Sequence, residues 1–499
     1  MDKRRTRNAI ASAASGSPLI SAGTFFTNAK RAAPLDLTRM TQRSATKRPW
    51  KDTLVDMLVG VDADTIVIGA GAAGLAAARS LAGRSVRVLV LEARDRVGGR
   101  VWSRPVARNA TPAELGAEFI HGRGELTVQL LREAGAAAID TEGEGWTCSK
   151  DGELRREDWD LSSTAGIFEA AGALPDDESV DRFLRRFERD RATRETARAA
   201  RAFVEGFDAA DPAIASARAI ASEMRSGVDF AIARPLGGYG PMFEHLRNAC
   251  VAAGVRIWLS TIVRRISWRR GAVAIDMSCG GESQTVHART AILTLPVGVL
   301  RRRGDELAVA FDPNLPDAKI KALQSIEMGH VVKVALWFRS AFWERVRDGR
   351  YRDAAFFRCE RQPFVTNWTQ LPVRSTLVVA WVGGPKAVAL SGIAEAELIE
   401  RALNGFGALL NEPELAREEF EGGLTHDWGR DPFARGAYSY VAVGGGNARA
   451  ALSAPVDDTM FFAGEATSTD DQDGTVNGAL ETGERAAAEA ATALGVEAR

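Results

Sequence analysis

The stretch DTIVIGAGAAGLAAARSLAGRSVRVLVLEARDRVGGRVWS, residues 64–103, decides the fold of this chain. It opens on a β-branched apolar run, TIVI at 65–68, which meets Gly69, Gly71 and Gly74 in GxGxxG spacing. An alanine-rich segment of helical character follows, then a second apolar run at 86–91 that ends in Glu92. Each glycine answers a separate steric demand. Gly69 permits a tight strand-to-helix turn, Gly71 lets the main chain approach a pyrophosphate, and Gly74 lets the helix pack closely on the strand. Free N–H groups at the helix start then face the phosphates. Glu92, 18 positions after Gly74, is placed to accept hydrogen bonds from a ribose. The order strand, helix, strand, acid predicts a dinucleotide-binding α/β unit.

Composition sets outer limits. A length of 499 residues allows two or three domains, and 45% apolar with 26% charged residues is the balance of an ordinary globular protein. A net charge of −1 argues against a nucleic-acid partner held by electrostatics. Cys148, Cys250, Cys279 and Cys359 show no CxxC pair and no metal-ligand spacing, so they read as reduced thiols and no metal is expected. No apolar run reaches the 18 residues of a membrane span. Ten of the first 50 residues are basic, against only Asp2 and Asp36. Two readings of residues 1–60 stand side by side. One is a disordered basic leader on a cytoplasmic protein. The other is export to the periplasm through a twin-arginine-like signal at Arg4-Arg5.

Along the rest of the chain, alternating patterns predict a discontinuous Rossmann-type α/β domain with an inserted mixed α+β domain. The expected pieces of the first are 61–150, 237–300 and 425–499; those of the second are 151–236 and 301–424. Residues 151–235 read as helical, with an arginine-rich face at 182–191 that suits solvent better than an anionic partner. Short β-branched runs between 255 and 295 predict a meander and a return strand. A helix is expected near 395–410 and another over 474–494.

Several motifs occur together in an order similar to that of the flavin-dependent amine oxidases, nearest the polyamine oxidase and lysine demethylase branch. They are RDRVGGR (94–100), LGAEFIHG (115–122), MGHVVKVALWF (328–338), WGRDPFARGAYSY (428–440), and FAGEAT (462–467) with GTVNGAL (474–480). The resemblance covers residues 61–495. It implies FAD as cofactor, held by Gly69, Ala70, Gly71, Ala73, Gly74, Glu92, Ala93, Arg94, Gly99, Arg100, Gly116, Ala117, Glu118, Val263, Gly464, Glu465, Thr475 and Val476. No cysteine precedes the tyrosines of RGAYSY, which implies non-covalent flavin.

The resemblance also implies the reacting residues. Lys333 is the only charge in 331–338, and a buried ammonium is costly unless paired or functional. In the family this lysine holds a water beside flavin N5, whereas the plain alternative is an edge-strand lysine that discourages aggregation. Tyr440 matches an aromatic wall of the substrate cavity, and Thr475 replaces its usual tyrosine partner, leaving more room. His121 matches a polyamine-contacting position. Glu118 would repel a substrate carboxylate if it faced the cavity, and Phe119 stands where related amino-acid oxidases place an arginine. The expected reaction is oxidation of a small-molecule amine, with hydride transfer to flavin, imine hydrolysis, and return of the electrons to O2 as H2O2. An oxidase or desaturase acting on an L-amino acid or cyclic amine, and a non-catalytic flavoprotein, are the other readings. The sequence leaves the amine and the oligomeric state, a homodimer included, open.

Overall fold

The computed structural model describes residues 61–496, apart from 108, 110, 150, 158–160 and 228–231. The leader readings for 1–60 fall outside the described residues.

The strand Thr65–Ile68 is buried at every position, because it lies in the middle of a five-stranded parallel sheet covered on both faces. The order across the sheet is Arg256–Trp258, Val88–Leu91, Thr65–Ile68, Thr290–Leu293, Met460–Phe462. Alternation within each strand assigns the faces. Val67 and Val90 point to a core shared with helices Ala72–Gly83, Gly240–Ala252 and Val476–Leu494. Ile66, Ile68, Leu89 and Leu91 point to the opposite core, shared with the antiparallel meander Thr261–Arg269, Ala272–Cys279, Glu282–Ala288. The run of small residues in Val476–Leu494 explains how closely it packs on Ala72–Gly83. A Cβ added at Gly483 would sit 2.2 Å from the carbonyl of Ala73.

A second, seven-stranded sheet runs in the order Phe420–Asp427, Val331–Phe338, Leu377–Gly383, Thr366–Trp368, Ala354–Arg358, Glu144–Cys148, Leu154–Arg156. Helix Glu395–Leu410 covers one face through an aromatic-rich core that includes Phe338, Phe357 and Phe406. The helices between 161 and 226 form their own core around Phe168, Phe183 and Phe203. Their arginine-rich face is tied into ion pairs, Arg185 with Asp181 and Arg186 with Glu178 among them. At two boundaries the architecture departs from the sequence reading. Strand Ile232–Pro235, in the stretch assigned to the second domain, pairs with Ile120–His121 and Ala138–Asp140 of the first piece. Strand Glu144–Cys148 lies within the stretch assigned to the first α/β piece, yet it pairs with Ala354–Arg358 in the second sheet. Among the described residues no helix is long and apolar enough to cross a membrane.

Candidate active site

One continuous cavity of about 550 Å³ runs from the glycine turn to an aromatic chamber beneath the seven-stranded sheet. At its first end, Gly69 holds φ at +109°, and a Cβ there would meet Thr294 Oγ1 at 2.4 Å. A Cβ on Gly74 would be 1.9 Å from the Gly69 carbonyl, so the turn and the helix touch through bare main chain. Gly71 is different. The nearest atom to a Cβ there is the Cα of Gly99, 3.9 Å away. Packing does not require Gly71; two glycine turns instead face each other across a cradle open to the cavity, the shape a pyrophosphate fits.

Glu92 ends the second strand of the turn unit, where its carboxylate accepts from the N–H of Ala70 (2.7 Å) and of Arg94 (2.8 Å). Burial pushes its carboxyl up from the ordinary 4.5. Its remaining lone pairs lie on the cavity wall, available to hydroxyl donors. Ala70 and Gly74 are not on that wall. Ala70 acts through its N–H on Glu92 and Gly74 through close packing, whereas the other residues expected to hold the cofactor line the cavity.

The distant motifs are knitted together here. Arg100 donates to the Ala437 carbonyl (2.8 Å) and to Glu465 Oε1 (2.7 Å). Glu465 Oε2 accepts from Ser439 Oγ at 2.6 Å and from the Gly474 N–H at 3.2 Å. Burial alone would raise the Glu465 carboxyl, but the charges of Arg100 and Arg449 outweigh it and hold it ionised. Arg94 grips Asp431 with both terminal nitrogens, at 2.9 and 2.7 Å, so part of its fork serves the protein. Thr475 is the N-cap of helix Val476–Leu494, accepting from the Gly478 N–H at 2.9 Å. That helix start lies on the cavity with no acid in its first turn, and its free N–H groups suit an electronegative ring edge.

Lys333 occupies the strand Val331–Phe338, which is flanked on both sides by other strands, so the edge-strand reading fails. Its Nζ donates to Glu118 Oε2 at 2.6 Å and to the Gly116 carbonyl at 3.1 Å. Glu118 is therefore not the free anion that the sequence left open. Its other oxygen accepts from Trp368 Nε1 at 2.9 Å and from Gln370 Nε2 at 3.2 Å, with Arg234 at 3.5 Å. Burial would raise its carboxyl; Lys333 and Arg234 reverse that and keep it ionised. Trp368, Gln370 and Arg234 were missed in the sequence. The polar NWTQ at 367–370 beside an apolar sheet was the available signal.

His121 lines the chamber with its ring edge-on to Phe207, centroids 5.3 Å apart. Burial pulls its imidazole down to about 4, so the ring is neutral at working pH. Its Nδ1 is buried and has no hydrogen-bond partner among the described residues. Tyr440 touches the cavity, but its ring packs in the helical core, and burial pushes its hydroxyl up to about 12. The ring that stands against the cap of the last helix belongs to Tyr438, 3.6 Å from a Cβ on Gly474. Tyr438, which the sequence reading passed over, is the better candidate for the aromatic wall.

The residues that match the flavin containing amine oxidoreductase family are 72–141 and 167–491, most of the chain, and the protein belongs to that family. Its cofactor is FAD, and no cysteine lies on the cavity wall to tether it. Particular relatives narrow the comparison. Polyamine oxidase 3 of Oryza sativa subsp. japonica is 29% identical over 457 residues, covering 85% of this chain and 88% of that protein. Lysine-specific histone demethylase 1 homolog 2 of the same plant is 28% identical over 449 residues, covering 85% of this chain. The chain spans only 56% of that demethylase's length. In fold, it is similar to a putrescine oxidase double mutant, with a TM-score of 0.72 at 23% identity, covering 87% of this chain and 99% of that one. Cyclohexylamine oxidase from Brevibacterium oxydans IH-35A gives a TM-score of 0.71 at 22% identity, covering 87% and 100%.

Proposed function

We propose that this chain oxidises a small amine carrying at least one further cationic centre, a diamine or polyamine, with release of an imine that hydrolyses to a carbonyl. One observation carries the reading: the cavity that begins at the dinucleotide cradle ends in an aromatic chamber, with the Lys333–Glu118 pair on its wall. Bound FAD supplies the hydride acceptor at N5 and passes the electrons on to O2, yielding H2O2.

The protein's own groups do the rest. Phe119, Phe207, Trp368, Trp381 and Tyr438 surround the chamber and exclude water. An apolar surround lowers an ammonium pKa and so favours the neutral amine, the form that can lose a hydride. The orphaned Nδ1 of His121 offers a neutral partner to a substrate N–H. Of the three Nζ protons of Lys333, Glu118 and Gly116 engage two. The third is left to hold a water beside the flavin. The walls away from the flavin carry Glu157, Asp208 and Glu223 against Arg358, a balance that favours a cationic chain over a carboxylate.

The test is anaerobic mixing of the holoprotein with spermidine, spermine, putrescine, phenylethylamine and L-amino acids, following the flavin absorbance. Fast bleaching by a di- or polyamine, and slow or no bleaching by the amino acids, is the expected result. Bleaching by an amino acid alone would overturn the reading. A flavin that stayed oxidised with every amine, yet was reduced by dithionite, would also overturn it.

A further inference from the structure

Of two strands that wall the cavity, one ends on a cysteine and the other is followed by one. Arg358 and Thr147 are register partners in the parallel pairing of Ala354–Arg358 with Glu144–Cys148, and both line the cavity. Cys359 and Cys148 each follow by one residue, at the end of that pairing, and turn to the opposite face. Directly opposed residues on neighbouring strands have main chains about 4.8 Å apart, within the span a disulfide bridges. Both thiols pack against one core. Their surroundings differ. Cys359 is buried in the aromatic core beside Phe357, and burial, then Cys148, pushes its thiol up from the ordinary 9. Cys148 is half-buried at the edge of that core, and the exposed Arg361 donates to its Sγ at 3.1 Å. A guanidinium on a partly open sulfur is the setting in which a cysteine meets an oxidant. Cys250 and Cys279 have no cysteine opposite them.

We propose that Cys148 and Cys359 are a peroxide-oxidised dithiol that closes to a reversible disulfide behind the cavity wall. As to the source of peroxide, this rests on the amine oxidation proposed above. The Cys148 thiolate attacks one oxygen of H2O2; the O–O bond breaks and the departing hydroxide takes up a proton, leaving a sulfenic acid and water. The Cys359 thiol gives up its proton as its sulfur attacks the Cys148 sulfur; the S–S bond forms, the S–O bond breaks, and the departing hydroxide leaves with that proton as a second water. Two thiols lose two electrons and one peroxide becomes two waters. Because Thr147 and Arg358 are covalent neighbours of the bridge, closing it tightens the strand pair that shapes the substrate end of the cavity.

The holoprotein is treated with added H2O2, quenched with catalase, alkylated and mapped under non-reducing conditions. The expected result is one cross-linked peptide pair joining Cys148 to Cys359, with Cys250 and Cys279 still alkylated. In Cys359→Ser, a dimedone adduct at Cys148 is expected; in Cys148→Ser, Cys359 stays reduced. Dithiothreitol should release the cross-link. The KM for an amine that reduces the flavin should shift by at least about twofold on oxidation, in wild type and not in Cys148→Ser. Two thiols that remain alkylatable after peroxide would overturn the proposal, as would over-oxidised Cys148 with no cross-link. A cross-link that left KM unmoved would overturn the coupling to the cavity. Since peroxide is added, the mapping stands even if no amine reduces the flavin.

Discussion

Lys333 Nζ lies 2.6 Å from Glu118 Oε2, with only 2% and 5% of the two side chains exposed. The lysine comes from the second strand of the seven-stranded sheet and the acid from the 115–122 loop, so this ion pair fastens the substrate sheet to the cofactor side of the cavity. Removing one partner of a buried pair strands the other.

Lys333→Met should therefore cost stability on the order of 3–5 kcal/mol, because Glu118 keeps its charge with Arg234 as its remaining cation. Lys333→Met/Glu118→Gln should recover most of that loss. Both variants should retain flavin yet react at least about tenfold more slowly in reduction by amine or reoxidation by O2. Denaturation curves and stopped-flow absorbance separate the two effects. A double variant that regained full rates would reduce Lys333 to a structural cation.

The glycines of the turn should respond in opposite ways. Gly74→Ala places a methyl 1.9 Å from the Gly69 carbonyl and should prevent the turn from forming. Gly71→Ala meets nothing closer than 3.9 Å and should fold, with an apoprotein melting temperature within about 2 °C of wild type. Its methyl would occupy the cradle, so FAD should be lost on gel filtration. Full flavin occupancy in Gly71→Ala would show that the pyrophosphate sits elsewhere.

The two tyrosines divide between wall and core. Tyr438→Ala should lower kcat/KM for the amine by about tenfold or more with little loss of stability. Tyr440→Ala leaves a hole in the helical core and should cost roughly 3–5 kcal/mol. Steady-state kinetics beside urea denaturation would show the reverse pattern if Tyr440 were the wall.

What could be read from the sequence follows from how local each feature is. The 64–103 unit announces itself because its glycines, helix and closing acid are set by contacts within thirty residues or so. Helix Glu395–Leu410 was legible to its ends from its apolar spacing. The strand Glu144–Cys148 was not, since the partner that ties it to the second sheet lies about two hundred residues away and five residues carry little periodicity. Nor was the partner of Lys333: Glu118 precedes it by 215 residues, and nothing local marks the pairing. Tyr438 and Tyr440 are two apart in one motif, and only packing tells them apart.

Glu114 supplies a pH signature. It is 4% exposed, accepts from Ser103 Oγ (2.6 Å) and the Tyr239 N–H (2.7 Å), and its Oε2 has no partner among the described residues. Burial pushes its carboxyl from 4.5 to about 7, against the opposing pull of those hydrogen bonds and of Lys333. A folded-state pKa above the unfolded one means that the acid is at home as the neutral form. Its contribution is complete below about pH 4.5 and is lost as pH rises through about 7. Glu114→Gln keeps the shape and removes the titration. The variant should therefore gain on wild type between pH 5 and 8, by up to about 3 kcal/mol at the alkaline end. Urea midpoints measured for both proteins across that range give the difference directly. A difference that stayed flat with pH would mean that Glu114 is ionised throughout and that its Oε2 has a partner in solution.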